Sequence, residues 1–157
     1  MTRKLVSKVL LPLTVFSALA MAAVFAEAAP ATLPILGKNS SEVRAAGKTK
    51  TFECMVYPDR IVITRGFDGV TTTEERNFSI AGSLTAKIDD VLATKPQTKT
   101  TGPLEMSYSF FAFHSSAPGT QDTVILSSFN GTTGEDIYNP ARGATMMRDM
   151  INTICGN

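Results

Sequence analysis

The sequence predicts an α+β domain in which an antiparallel sheet of about five strands carries two helices on one face, in the order β-β-β-α-β-β-α. Three observations point to this fold class. Several stretches alternate apolar and polar residues with the period of two that half-buried strands show. Two other stretches repeat apolar residues at helical spacing. The chain also has only two cysteines, and we expect one disulfide to close the domain.

Residues 1–28 have the composition of a secretory signal peptide. Basic residues precede an apolar run from Val9 to Ala26, and Ala26-Glu27-Ala28 fits the small-residue pattern of a cleavage site. The run approaches the length of a membrane anchor, but Pro12 and the adjoining cleavage site favour removal. We therefore expect a periplasmic or secreted protein with no membrane span after cleavage.

The charge of the remaining chain excludes one class of partner. The whole sequence has 15 Lys and Arg against 14 Asp and Glu. Removal of residues 1–28 takes away three basic residues and one acidic residue, which leaves a net charge of about −1. Because no basic block is present, we expect no nucleic-acid binding. The length suits one domain.

We expect residues 29–48 to form a flexible leader and residues 49–157 to form the single disulfide-closed domain. The leader segment has two prolines, two glycines and no apolar period. The domain then opens with the alternating stretch 49–57. A return strand over 60–65 follows a Pro-Asp turn, and the Asp-Gly pair at 68–69 predicts a tight hairpin into a third strand.

The second half of the domain contains both predicted helices. The first follows Ser83 and ends before Pro96, which disfavours helical geometry at the preceding residue. Residues 104–114 and 122–129 predict a second strand pair. The last helix has a strong start signal in Asn139-Pro140.

The last helix also predicts the disulfide. Met147, Ile151 and Cys155 recur every four residues and share its apolar face. Cys54 lies in the first predicted strand, so a Cys54–Cys155 bond would join the two ends of the domain. Two cysteines in an exported chain most simply form a structural disulfide, because compartments outside the cytoplasm are oxidising. A reactive thiol or metal site would need a C-x-x-C motif or neighbouring histidines.

One segment stands out as a candidate binding loop. The polar stretch from Lys95 to Pro103 is bounded by prolines and has no apolar anchor, so it should be exposed. The residues that we expect to contact a partner are Lys95, Pro96, Gln97, Thr98, Lys99, Thr100 and Thr101.

No catalytic, cofactor or metal motif is present in the sequence. His114 is the only histidine and precedes Ser115 and Ser116, yet neighbours in sequence rarely present both side chains to one point. The adjacent carboxylates Glu74-Glu75 and Glu135-Asp136 are typical of solvated surface. We therefore expect no cofactor and no metal.

The expected function is a small exported protein-binding module, of which an inhibitor is one form, with another exported or envelope protein as its partner. This expectation rests on the shape of a small closed domain with an exposed loop. Two alternatives remain open. One is a secreted hydrolase that uses His114. The other is a structural envelope protein that self-associates through Phe111 and Phe113, which break the polar face of their strand.

Overall fold

The computed structural model describes residues 32–80, 82–117 and 120–156. Within these residues the chain forms one eight-stranded antiparallel sheet and two α-helices. The strand order across the sheet is β4-β3-β2-β1-β6-β7-β8-β5. The strands are β1 (Leu36–Val43), β2 (Thr49–Val56), β3 (Arg60–Phe67), β4 (Val70–Asn77), β5 (Gln97–Thr100), β6 (Met106–His114), β7 (Asp122–Asn130) and β8 (Glu135–Tyr138), and the helices are α1 (Thr85–Ala93) and α2 (Arg142–Cys155).

The α+β class is confirmed, and the prediction of about five strands is wrong. The structure has eight strands in the described part of the chain. The three additional strands lie where the sequence predicts irregular chain: β1 in the expected leader, β5 in the expected binding loop, and β8 after the glycine-containing turn at 131–134. All three depend on strand pairing rather than on an apolar pattern of their own.

The strand β1 is the centre of the sheet, although we expected residues 29–48 to be a flexible leader. It pairs antiparallel with β2 on one side and with β6 on the other. A strand that is paired on both sides receives its backbone hydrogen bonds from its neighbours, so its polar sequence LGKNSSEV does not prevent strand formation. The sheet therefore begins upstream of residue 49. The predicted signal peptide, residues 1–28, lies outside the described residues.

The hairpin between β3 and β4 is the one that the Asp-Gly pair predicts. Asp68 has a φ of 53° and Gly69 a φ of 83°, which are the positive angles of a type I′ turn. Phe67 pairs with Val70 across this two-residue loop. The turn thus fixes the register of the edge strand β4.

Both helices pack on one face of the sheet and against each other. Their buried residues form one core with the sheet residues Leu36, Val56, Ile63 and Leu126. At the contact between the helices, a Cβ at Gly143 would collide with the carbonyl oxygen of Lys87. Glycine therefore allows the close approach of α2 to α1.

Asn139 ties the two helices together instead of capping α2 in the expected way. It is buried, and its Nδ2 donates to the carbonyl oxygens of Val91 and Thr94, each at 3.0 Å. Its Oδ1 accepts from the backbone N–H of Ala141 at 3.0 Å. The amide thus satisfies the carbonyl group of Thr94 and adds a second hydrogen bond to that of Val91, which also accepts from the N–H of Thr94 at 3.2 Å.

The predicted disulfide is present. Cys54 in β2 and Cys155 at the end of α2 are both buried, with their Cα atoms 6.0 Å apart. The bond spans 101 positions and joins the sheet to the last helix. In the described part of the chain, no helix has the length and apolar character needed to cross a membrane.

Candidate functional site: the open edge and the uncovered faces of the sheet

The residues expected to form a binding loop belong instead to an edge of the sheet. Gln97–Thr100 form β5, which pairs only with β8. Its four residues are exposed, as are Lys95, Pro96 and Thr101 beside it. The backbone N–H of Thr101 donates to the carbonyl oxygen of Gly134 at 2.9 Å. Since hydrogen-bonded residues alternate in an antiparallel ladder, Thr98 and Thr100 direct their N–H and C=O groups away from the sheet.

The opposite edge, β4, is twice as long and exposed at every residue. The pair that closes its two-residue turn, Phe67 and Val70, is hydrogen bonded in this hairpin type. Alternate residues of β4 therefore bond to β3, and Phe78 continues the pattern by donating to the carbonyl oxygen of Asp59 at 3.1 Å. The residues between them, Thr71, Thr73, Glu75 and Asn77, direct their backbone groups outward.

The two edges differ in their protection against a further strand. Natural proteins blunt sheet edges with short strands, proline, lysine and bulges. β5 has four residues, follows Pro96 and contains Lys99. β4 has eight residues, keeps an uninterrupted register with β3, and starts with the β-branched run Val-Thr-Thr-Thr. β4 is therefore the edge that can accept another strand.

The charged residues of β4 are paired within the sheet. Glu74 accepts hydrogen bonds from Arg76 Nε at 2.6 Å and from Arg65 Nη1 at 3.4 Å. The hydrogen bond from Arg76 is the main reason that the pKa of Glu74 is lowered, and the pKa of Arg76 is raised in return. Glu75 lies 3.6 Å from Arg60. These charges are engaged by neighbouring side chains, so they repel an incoming strand less than unpaired charges would.

The face of the sheet opposite the helices holds a shallow groove of about 690 Å³. Its lining is rich in small polar side chains from β1, β2, β6 and β7: Asn39, Ser41, Thr51, Ser107, Ser109 and Ser128. An antiparallel sheet commonly leaves one face to solvent, with polar residues on it. The groove is consistent with such a solvated face.

Two of the aromatic residues of β6, Phe111 and Phe113, are packed at one end of this open face. Phe111 is only 6% exposed. A Cβ at Gly37 would collide with its ring, so the ring lies across the glycine of the neighbouring strand. Phe113 meets it edge to face at 5.4 Å. Phe111 thus fills a gap within its own sheet and contributes little surface for self-association.

A cluster of cations and aromatic rings occupies the part of the helix-bearing face that the helices leave uncovered. Lys38 Nζ lies 5.6 Å from the centre of the Phe52 ring and 5.1 Å from that of Phe110. It also donates to Asn152 Oδ1 of α2 at 3.0 Å. Burial lowers the pKa of Lys38. The Arg65 guanidinium carbon lies 5.6 Å from the Phe52 ring centre.

His114 lies at the end of β6 beside an apolar pocket that includes Ile35 and Leu84. Ser115 donates to the carbonyl oxygen of Ala117 at 2.9 Å, and Ser116 donates to Asp122 Oδ2 at 2.6 Å. Among the described residues no serine hydroxyl is hydrogen bonded to His114, so the structure does not assemble a serine–histidine pair there. Nor do three His, Cys, Asp or Glu side chains converge on a metal site in that part of the chain.

Comparisons with known proteins add no assignment: no family model, no curated protein and no solved structure matches this chain. The candidate site therefore rests on geometry alone. Sequence reasoning missed Thr71, Thr73, Glu75 and Asn77 as site residues, because strand order decides which strand becomes an edge. The sequence did predict their strand and its turn.

Proposed function

We propose that this protein is an exported binding module that takes up an extended segment of another exported or envelope protein as a ninth strand beside β4. In strand addition, main-chain hydrogen bonds attach the partner and alternate side chains select it. The observation that carries the proposal is the eight-residue exposed edge, whose outward backbone groups have no proline, bulge or lysine to guard them.

The energetics indicate how such a partner would be recognised. Thr71, Thr73, Glu75 and Asn77 each offer one N–H and one C=O, which together allow about eight hydrogen bonds of roughly 1 kcal/mol net. That sum is similar to the entropic cost of association. Side-chain contacts along β4 must therefore add the remaining affinity and the specificity. Alternate residues of the partner would lie beside Val70 and Thr72 on one face.

Export is supported by two features of the chain. Residues 1–28 resemble a secretory signal in composition, and the buried disulfide is compatible with an oxidising compartment. The partner is therefore expected outside the cytoplasm.

The test uses matched proline substitutions on the two edges. Thr73→Pro removes an outward N–H of β4 at no cost in internal backbone hydrogen bonds, and Thr98→Pro does the same on β5. Tagged, disulfide-bonded wild type and both variants are used to capture proteins from envelope and culture-medium extracts. We expect a partner that wild type and Thr98→Pro retain and that Thr73→Pro loses at least tenfold. Circular dichroism and thermal unfolding should show that all three proteins are folded.

A second measurement locates the contact. Amide hydrogen exchange in the complex should slow at Thr71, Thr73, Glu75 and Asn77 and stay unchanged at Thr98 and Thr100. Equal capture by all three proteins, or protection confined to β5, would contradict the proposal. If light scattering shows a dimer that Thr73→Pro converts to a monomer, the added strand comes from a second copy instead. If the captured partner is an enzyme, the same three proteins test inhibition.

A further inference from the structure

Three cations surround a small cavity on the helix-bearing face. Lys38, Lys50 and Arg65 line a space of about 180 Å³ together with Phe52. The pairing of β1, β2 and β3 places them there. Phe52 of β2 pairs with Arg65 of β3 on one side and with Ser40 of β1 on the other, and Lys38 lies two residues from Ser40. The positive charges thus come from three neighbouring strands and line one cavity.

Two of these three cations, Lys38 and Lys50, have no carboxylate partner close by. Among the described residues, neither Lys38 nor Lys50 has a carboxylate oxygen within 4.0 Å. Glu42 also lines the cavity, but its carboxylate pairs with Arg44 at 2.8 Å. Arg65 lies 3.4 Å from Glu74, which bonds more closely to Arg76. The cavity is therefore lined by three basic side chains and by one carboxylate, that of Glu42.

Lys38 is held in place before any ligand arrives. The Lys38 side chain extends from β1, and its ammonium group lies between the rings of Phe52 and Phe110 and donates to Asn152. Burial makes this charge costly, as the lowered pKa of Lys38 indicates. A nearby anion would offset that cost. A lysine whose only task was to remain solvated would not need this enclosure.

We propose that this cavity binds a tetrahedral oxyanion, the chemistry shared by phosphate, sulfate and their esters. A planar guanidinium with two ammonium groups suits an oxyanion, because each donor can meet a different oxygen. The site lies on β1, β2 and β3 and uses none of the outward backbone groups of β4. The inference is thus independent of the proposed strand addition.

The test titrates the full disulfide-bonded protein with inorganic phosphate, sodium sulfate and glycerol phosphate, followed by NMR. We expect saturable shifts at Phe52 and at the side-chain nitrogens of Lys38 and Arg65. Lys50→Gln should weaken binding at least fivefold. Lys48→Gln is the matched control because Lys48 pairs with Asp68 at 3.2 Å and does not line the cavity, and it should change affinity less than twofold.

Each outcome bears on the proposal. Tighter binding of glycerol phosphate identifies an ester as the ligand class, and tighter binding of an inorganic ion identifies the free oxyanion. Saturating phosphate should also raise the pKa of Lys38, which a purely structural lysine would not show. Shifts that fail to saturate with all three probes, or equal weakening by Lys48→Gln and Lys50→Gln, would overturn the inference. Lys50 is exposed, so its variant tests the site without disturbing the core.

Discussion

The replacement of Leu36 by alanine tests the placement of β1 most directly. Leu36 is 0% exposed and lies between Val56 of β2 and Ala112 of β6. Removal of three carbon atoms costs about 2.4 kcal/mol in transfer free energy at roughly 0.8 kcal/mol per methylene. A cavity that cannot collapse adds to this cost, so we expect a total loss of about 3 kcal/mol in the free energy of unfolding. The strands on both sides of β1 prevent the cavity at residue 36 from collapsing.

The measurement is urea unfolding of disulfide-bonded protein, monitored by circular dichroism, with Leu33→Ala as the control. Leu33 precedes β1 and is 53% exposed, so its replacement should change the free energy of unfolding by less than about 0.5 kcal/mol. An unchanged slope with denaturant would show that the variants unfold from comparable states. If Leu36→Ala and Leu33→Ala unfold alike, residues 36–43 are not the central strand and the reasoning fails.

Three further predictions follow from the packing and the charges. Replacement of both disulfide cysteines by alanine should lower the free energy of unfolding by up to about 4.7 kcal/mol, because the bond spans 101 positions. Urea unfolding measures this loss, and a change below about 1 kcal/mol would contradict the prediction. Gly37→Ala should cost about 1–3 kcal/mol by displacing the Phe111 ring, and the cost should shrink in a Phe111→Ala background if that contact is the cause. The lowered pKa of Glu74 means that its stabilising contribution is present at neutral pH and is lost as the pH falls through the folded-state value. NMR titration should therefore place its midpoint below 4.5, and Arg76→Ala should raise that midpoint; a midpoint that does not move would show that Arg76 is not the cause.

The sequence predicts those parts of the fold whose signals are local. β3 and its turn follow from alternation and from the Asp-Gly pair, and α2 follows from apolar residues at spacings of four. The disulfide follows from the cysteine count together with the buried face of α2. The signals for β3, its turn and α2 come from residues that are close together in the sequence. The disulfide has only one possible pairing, because the chain has two cysteines.

The rest of the fold depends on contacts between distant residues. β1 is polar over most of its length, and only the sheet shows that Gly37 accommodates the Phe111 ring. β5 and β8 have four residues each and stabilise one another as a pair. The sequence predicts an exposed connection from Lys95 to Pro103, and residues 95–101 are exposed, but β5 forms only because residues 135–138 lie beside it. No pattern within a short window carries that information.

Two unrelated surfaces of the sheet remain open for different reasons. Eight strands spaced by about 4.8 Å span roughly 34 Å, whereas α2, with 14 residues, is about 21 Å long. α1 packs beside α2 rather than extending it, so the helices cover the middle strands and leave the cations around Phe52 uncovered. The β4 edge is open for another reason, because β4 is the last strand in the sheet order. The strand-addition proposal uses the backbone of β4, and the oxyanion proposal uses side chains of β1, β2 and β3. A result against either proposal therefore leaves the other standing, because the two surfaces use different groups of the sheet.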